Sequence, residues 1–439
     1  MAENPRTTFI KAATWHGSLD DAIRCLDSYP ELATSDIHTA AITGDAEAVR
    51  RFLAEDPANA VAVSEPYGGN ALVYLCLSKY LRLNKDRSND FLQSATALLN
   101  AGADPNSGFW TEGKNREFET ALYGAAGVAH HAALTKLLLE YGADPNDGEV
   151  IYHSPETHDN EVLKLLVETG KLTPESLSLM LLRKHDWHDY DGIKYLLEQG
   201  ADTNSLWGKG WYALHHALAR GNALSIILLL IHHGADPYLV SGGLTAIARA
   251  AREGRSDVLS LFAQKGILVE LEGVDHLIAS CAKGDGAAVQ AVLQQSPWLL
   301  QEIMLLGGDL LGRFCLTGNG PAVKQLLDIG IDVNTPYETG DGYFGIPEGS
   351  LPIHVAAWLG HPAIVQLLIK RGANTDLPDK NGHTPLALAV RACVGSYWTE
   401  RRSTVSIKTL LDAGASPKNI PFPSGYPEAD NLLRAALKK

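Results

Sequence analysis

The stretch Leu351-Pro352-Ile353-His354-Val355-Ala356-Ala357-Trp358-Leu359-Gly360-His361, continuing through Val365, Leu367 and Leu368 to Gly372, decides the fold. It reads as two short apolar-faced segments, each followed by a glycine. Apolar residues three and four apart make each segment the buried stripe of an amphipathic helix, and the glycine supplies the left-handed residue that closes it.

The same unit recurs outward in both directions. Gly-Ala-Asp-Pro-Asn stands at Gly102 to Asn106 and at Gly142 to Asn146, with Gly200-Ala201-Asp202-Thr203-Asn204 and Gly234-Ala235-Asp236-Pro237 beyond them. Weaker copies begin at Gly266, Gly330, Gly372 and Gly414. A leucine pair precedes most of them, as at Leu98-Leu99, Leu138-Leu139, Leu196-Leu197, Leu326-Leu327, Leu367-Leu368 and Leu410-Leu411. Ahead of the leucines lies an alanine-rich segment such as Ile37-His38-Thr39-Ala40-Ala41 or Leu214-His215-His216-Ala217-Leu218, whose small residues let helix pairs stack closely. This order of turn, Leu-His-x-Ala-Ala helix, tight turn, Val-x-Leu-Leu helix and Gly-Ala-Asp resembles the ankyrin-repeat family, and Thr384-Pro385-Leu386 repeats that family's helix-opening triplet.

About twelve units begin near Thr7, Ser35, Tyr67, Glu119, Val150, Pro174, Tyr212, Leu244, Val274, Gly308, Ser350 and Thr384. The expected fold is all-α, an ankyrin-repeat solenoid of stacked helix-turn-helix units with projecting turns over residues 1–418, closed by a C-terminal helical cap at 419–439. Unit boundaries between Gly266 and Gly308 stay open, because Ser296-Pro297-Trp298 replaces Gly-Ala-Asp there.

With 45% apolar and 20% charged residues in 439, the chain has material for a core, and a disordered chain is excluded. Lys and Arg total 37 against 51 Asp and Glu, a net charge of −14 that repels a phosphate backbone, so nucleic acid is not expected as a partner. Cys25, Cys76, Cys281, Cys315 and Cys393 are widely spaced and lack any zinc-ligand pattern. They read as buried thiols of a cytoplasmic protein. The apolar run Ile226 to Ile231 is too short to cross a membrane. Phosphate-loop, dinucleotide, nucleophile-elbow and kinase signatures are missing, and neither cofactor nor metal is expected.

Function must then lie in residues that stacking does not require. Two insertions between paired helices, Ser78 to Arg87 and Ser396 to Ser403, carry Arg82, Tyr397, Trp398, Arg401 and Arg402 on an otherwise acidic protein. Such a set suits carboxylate or phosphate recognition, or forms a solvated loop paired with the protein's own acids. A second cluster, His185-Asp186-Trp187-His188-Asp189-Tyr190, takes the place of the Gly-His turn. His185 and His188 would share a face if the helix continued, while a polar turn with an Asp cap explains the same residues. A third departure puts Ser154-Pro155 where Ala-Ala is expected. Proline there must shorten the helix and open space lined by Tyr152, His153, Glu156 and His158.

Two long turns complete the set, Ser107 to Phe118 and Thr335 to Gly349. The second carries Glu338, Asp341 and Glu348 beside Tyr337, Tyr343 and Phe344. With Trp207, Trp211 and Tyr212 these would make an aromatic, acid-tipped groove edge suited to a basic peptide, a sugar or an aliphatic cation. Loop aromatics also pack under their own loop.

The family resemblance implies a monomeric binding module whose concave groove holds a protein, a peptide or a small polar ligand, with no membrane contact. The alternative is an enzyme of hydrolase or lyase type, acting on a small polar or carbohydrate-like substrate in a pocket around units four to seven closed by the 335–349 turn. Glu156 or Asp186 would be its acid or base, His153, His185 and His188 its proton shuttles, and Trp187 or Trp211 its stacking face.

Overall fold

The computed structural model describes residues 4–83, 85–208, 210–396 and 402–438. These contain twelve helix pairs, from Pro5–Ala13 with Leu19–Ser28 to Pro385–Gly395 with Val405–Asp412, and each first helix begins within four residues of a start read from the sequence. An extra helix, Leu299–Leu305, fills the stretch after Ser296-Pro297-Trp298 and accounts for the missing Gly-Ala-Asp there. The last helix, Pro427–Leu437, packs on Val405–Asp412.

Local chemistry explains where the helices start. The Thr384 hydroxyl accepts the Ala387 N–H at 3.2 Å, and Thr245 and Thr120 do the same for Ala248 and Tyr123 at 3.1 and 3.0 Å. Each threonine thereby satisfies one donor that the first helical turn leaves open. The second helices stop at the expected glycines, with Gly102 and Gly142 at φ of 97° and 98°, a region that L side chains resist.

The asparagine of the Gly-Ala-Asp-Pro-Asn turn joins neighbouring units. Asn106 accepts the Asp144 N–H at 2.8 Å and donates to the Gly142 carbonyl at 3.2 Å. Asn146 repeats this with Thr173 and Lys171 at 2.8 and 3.0 Å, and Asn334 with Asn374 and Gly372 at 2.8 and 3.3 Å. The side-chain amide substitutes for a strand neighbour, so consecutive turns are held edge to edge without a continuous sheet.

The chain divides into two compact units, Met1–Ala213 with His232–Ala235, and Leu214–Ile231 with Asp236–Lys439. In the first, Phe9, Ile10, Ala13, Ala22, Ile42 and Tyr74 form a buried cluster, and in the second Phe262, Phe314, Leu326 and Ile353 are fully buried. The first unit also carries the longest hairpin, Gly108–Trp110 paired antiparallel with Phe118–Thr120, in which Phe109 faces Glu119 and Trp110 faces Phe118. Directly opposed residues send their side chains to the same face, so the Phe109 ring and the Glu119 carboxyl lie together. No helix of the described residues is long and apolar enough to cross a membrane.

Candidate functional site

In the first unit the irregular repeats form one connected site. The helix after the long hairpin, Tyr123–Val128, is wound as a π-helix, a form that concentrates where function outweighs regularity. Gly127 allows its neighbours to approach: a Cβ there would stand 2.8 Å from Tyr123 Cδ2 and 3.0 Å from His153 Cβ. The Tyr123 and His153 rings lie 5.4 Å apart as a result.

The first helix of the next unit, Gly148–His153, ends one residue before Ser154-Pro155, as the proline predicts. His153 Nδ1 lies 3.0 Å from Glu156 Oε2, and its Nε2 lies 3.3 Å from Glu149 Oε2. The bond to Glu156 is the main cause that holds the imidazole above its ordinary value. Arg183 pairs with both Glu156 and Asp186, and its guanidinium lies over the Tyr152 ring, 4.0 Å from the centroid. Burial would raise the Glu156 carboxyl, but the bonds from His153 and Arg183 outweigh it and leave Glu156 below the usual range. Glu156 is therefore a committed carboxylate rather than a proton donor near neutrality.

The second cluster is brought next to this one through Arg183, but its two histidines are separated. The helix Pro174–His185 stops with Asp186 at its C-cap; His185 is buried with Nδ1 2.7 Å from the Leu181 carbonyl, whereas exposed His188 turns back at φ 51°. The helix does not continue, so the shared face expected of them does not form. Asp189 caps the next helix by accepting the Gly192 N–H at 3.1 Å, and its other oxygen takes the buried Lys184 ammonium at 2.7 Å. Trp187 sits edge-on to His158 at 5.7 Å, Tyr152 lies 6.3 Å from the Trp207 ring, and Trp211 pairs its backbone with Trp207.

One residue that the sequence analysis used only as a unit boundary stands at the centre of the site. Glu119 is 2% exposed and its Oε2 has no hydrogen-bond partner among the described residues. Its cross-strand neighbour Phe109 forms an aromatic wall with Trp15 and Tyr67, at 5.5 Å edge-on and 5.2 Å stacked. Burial, then the carboxylates of Glu149 and Glu117, pushes the Glu119 carboxyl up to about 7. Asp147 adds to the push, and His153 opposes it. Burial and the same Glu117 raise Glu149 as well. Partial burial, then the charges of Lys79 and His153, hold His16 below its ordinary value.

In the second unit the 335–349 turn is arranged differently. Tyr337, expected at a groove edge, is fully buried, because Gly312 leaves the space: a Cβ there would lie 2.5 Å from Tyr337 Cγ. Phe344 is buried too, and its carbonyl accepts the Trp358 indole N–H at 2.7 Å. Half-buried Tyr343 carries Arg220 over its ring at 4.3 Å. Asp341 accepts the N–H groups of Tyr343 and Phe344 at 3.0 and 3.3 Å, and Glu348 takes Lys380 at 3.2 Å. Tyr337 and Phe344 are thus turned into the packing against neighbouring helices rather than presented at an edge.

The basic insertions contribute less. Arg82 is exposed on the short helix Lys79–Leu83, and exposed Arg402 lies 5.2 Å from the Tyr426 ring. Tyr397, Trp398 and Arg401 lie outside the described residues. Among the described residues no group of three His, Cys, Asp or Glu side chains is placed to hold a metal ion.

Comparison with known proteins agrees with this architecture. A family model for ankyrin repeats (3 copies) matches residues 179–273 and 311–419. Ankyrin repeat and SOCS box protein 16 of Homo sapiens is 26% identical over 284 residues, 59% of this chain and 60% of that protein. Rabankyrin-5 of Homo sapiens is 36% identical over 84 residues, 18% of this chain and 7% of that protein. The putative ankyrin repeat protein FPV018 of fowlpox virus is 26% identical over 200 residues, 44% of this chain and 26% of that protein. The chain thus spans less than two thirds of each of these relatives. The crystal structure of the human ASB11 ankyrin repeat domain aligns with a TM-score of 0.26 at 18% identity, over 58% of this chain and 96% of that one.

Proposed function

Since the chain belongs to the ankyrin-repeat family, we propose that it is a protein-binding module whose first unit holds a partner protein or peptide through a basic element. The surface concerned is built by the 108–120 hairpin with the helices Tyr123–Val128 and Gly148–His153. One observation carries the reading. The groups that act on Glu119 are three carboxylates, Glu149, Glu117 and Asp147, against a single base, and that base, His153, is already shared between Glu149 and Glu156. Asp147 caps the helix Gly148–His153 and accepts the Thr120 hydroxyl, but stacking needs neither Glu117 nor Glu149, and an unpaired buried carboxyl weakens the fold, so a positive group supplied from outside accounts for it. The five cysteines are free thiols, in keeping with a cytoplasmic location.

A second reading, acid/base chemistry on a small polar substrate, is favoured by the Glu119 carboxyl at about 7 beside Glu149. Its proton donor would be Glu119, not Glu156. Selection of a displayed random-peptide library separates the two readings. Binding peptides should be rich in Lys or Arg and lose at least tenfold in affinity when Glu117 and Glu149 are both changed to Lys. Peptides without basic residues, or binding indifferent to the reversal, would overturn the module reading. Turnover of chromogenic glycosides that disappears in Glu119→Gln would establish the second.

A further inference from the structure

We propose that the Glu119 niche is a binding site for a primary ammonium group, the lysine side chain of a partner peptide, and that Glu119 gives up a proton when the ammonium enters. This rests on the binding-module reading and names the group that the site takes.

The proposed site would have a floor, a wall and a mouth. Its floor is the Glu119 carboxyl, 2% exposed, with Oε2 lacking any partner among the described residues. An acid in that state is destabilising unless protonated or paired, and the surrounding acids make pairing with a cation the more favourable outcome. The wall is the ring of Phe109, opposite Glu119 in the hairpin, backed by Trp15 and Tyr67. A lysine stem of four methylenes can lie along such a surface while its head reaches the carboxylates. Half-buried Glu149 on the helix Gly148–His153 and exposed Glu117 on the hairpin, whose charges both act on Glu119, would flank the entry and part to admit the head.

The geometry favours ammonium over guanidinium. A guanidinium is a planar fork suited to two parallel contacts with one carboxylate, whereas an ammonium presents three donors around a point charge. Here the acceptors are three separate carboxylates, Glu117 and Glu119 on the hairpin and Glu149 on the helix Gly148–His153. Arg183 shows the other arrangement within the same unit, flat over Tyr152 and already engaged by Glu156 and Asp186.

Proton release follows from charge balance. Free, the Glu119 carboxyl holds a proton for much of the time near pH 7. An incoming R–NH3+ keeps its three protons and pairs with the carboxylate, so the Glu119 proton leaves to solvent. Other titratable groups around the site are Glu117, Asp147, Glu149, His153, Glu156 and Tyr123, with His16 feeling the charges of Lys79 and His153. Of these, His153 and His16 and the raised carboxyls of Glu149 and Asp147 can also give up a proton as a cation enters, so Glu119→Gln is the deciding variant.

The test is calorimetric titration of the full chain with acetyl-Lys-Lys-Lys-amide, at pH 5.5 to 7.5 and in two buffers of different ionisation enthalpy. Affinity should rise nearly tenfold per pH unit below about 7, one proton being released per peptide. Glu119→Gln should flatten that slope, while His153→Gln should retain it. The acetyllysine version of the peptide should not bind, and the triarginine version should bind more weakly. Absence of proton release in the wild-type chain, or a slope unchanged in Glu119→Gln, overturns the proposal whether or not the variant is stable. If library-selected basic peptides bind through Glu117 and Glu149 with no proton release, the inference fails and the module reading stands; if no basic peptide binds at all, both fail.

Discussion

The two compact units treat their acids in opposite ways. Around the 335–349 turn of the second, Glu253 is 5% exposed and receives Arg313 at 2.6 and 2.8 Å, with Arg249 at 3.7 Å. Asp341 is occupied by its own loop and Glu348 by Lys380. In the first unit Glu119 is buried at least as deeply and its Oε2 has no partner among the described residues. A compensated acid holds a loop in place; an uncompensated one costs stability and keeps a charge available. The contrast supports reading the long turn of the second unit as architecture and placing the proposed site in the first.

Three measurements would break or sharpen that contrast. The largest effect is expected for Arg313→Ala, which removes both short contacts to the Glu253 carboxylate, leaves it only the longer pair with Arg249, and should destabilise the second unit by about 3 kcal/mol in chemical denaturation. A loss under about 1 kcal/mol would mean that this acid, too, is poorly compensated. Next comes Glu119→Gln, whose effect depends on pH. With its folded value raised from 4.5 to about 7, Glu119 keeps in the folded state a proton that the unfolded chain has lost, so stability falls as pH rises through that window. The variant should match wild type at pH 4.5 and exceed it by up to about 3 kcal/mol at pH 8. Equal unfolding curves at both pH values would remove the uncompensated acid from the account. The smallest change is expected for Lys380→Ala: both partners of its pair with Glu348 are more than 60% exposed, and the loss should stay within about 0.5 kcal/mol.

The repeat was legible because stacking imposes one pattern many times over, so that Leu138, Leu326 and Leu368 recur as fully buried residues at matching places. The break at Ser154-Pro155 was legible as well, since proline ends a helix whatever surrounds it. Glu119 was not. It stands one residue before the helix-opening Thr120, and its burial depends on which residue of the opposite strand it faces, a register that a three-residue strand does not announce. The exposure of Tyr337 was misread for a related reason: the space it fills is made by Gly312, distant in sequence. The pairing of His185 with His188 assumed a helix that in fact stops at His185, with Asp186 at its C-cap and Asp189 capping the next one.

The asparagine link between consecutive turns has a consequence for how such a chain can change. It spans 27 residues from Asn146 to Thr173, 38 from Asn106 to Asp144 and 40 from Asn334 to Asn374, with the accepted N–H at 2.8 Å each time. The contact is indifferent to how much polypeptide is looped out between its two ends. New residues can therefore be spliced into a hairpin, and old ones deleted, while the pitch from one turn to the next is conserved, which makes these loops the region where novelty can be tried at little risk to the scaffold.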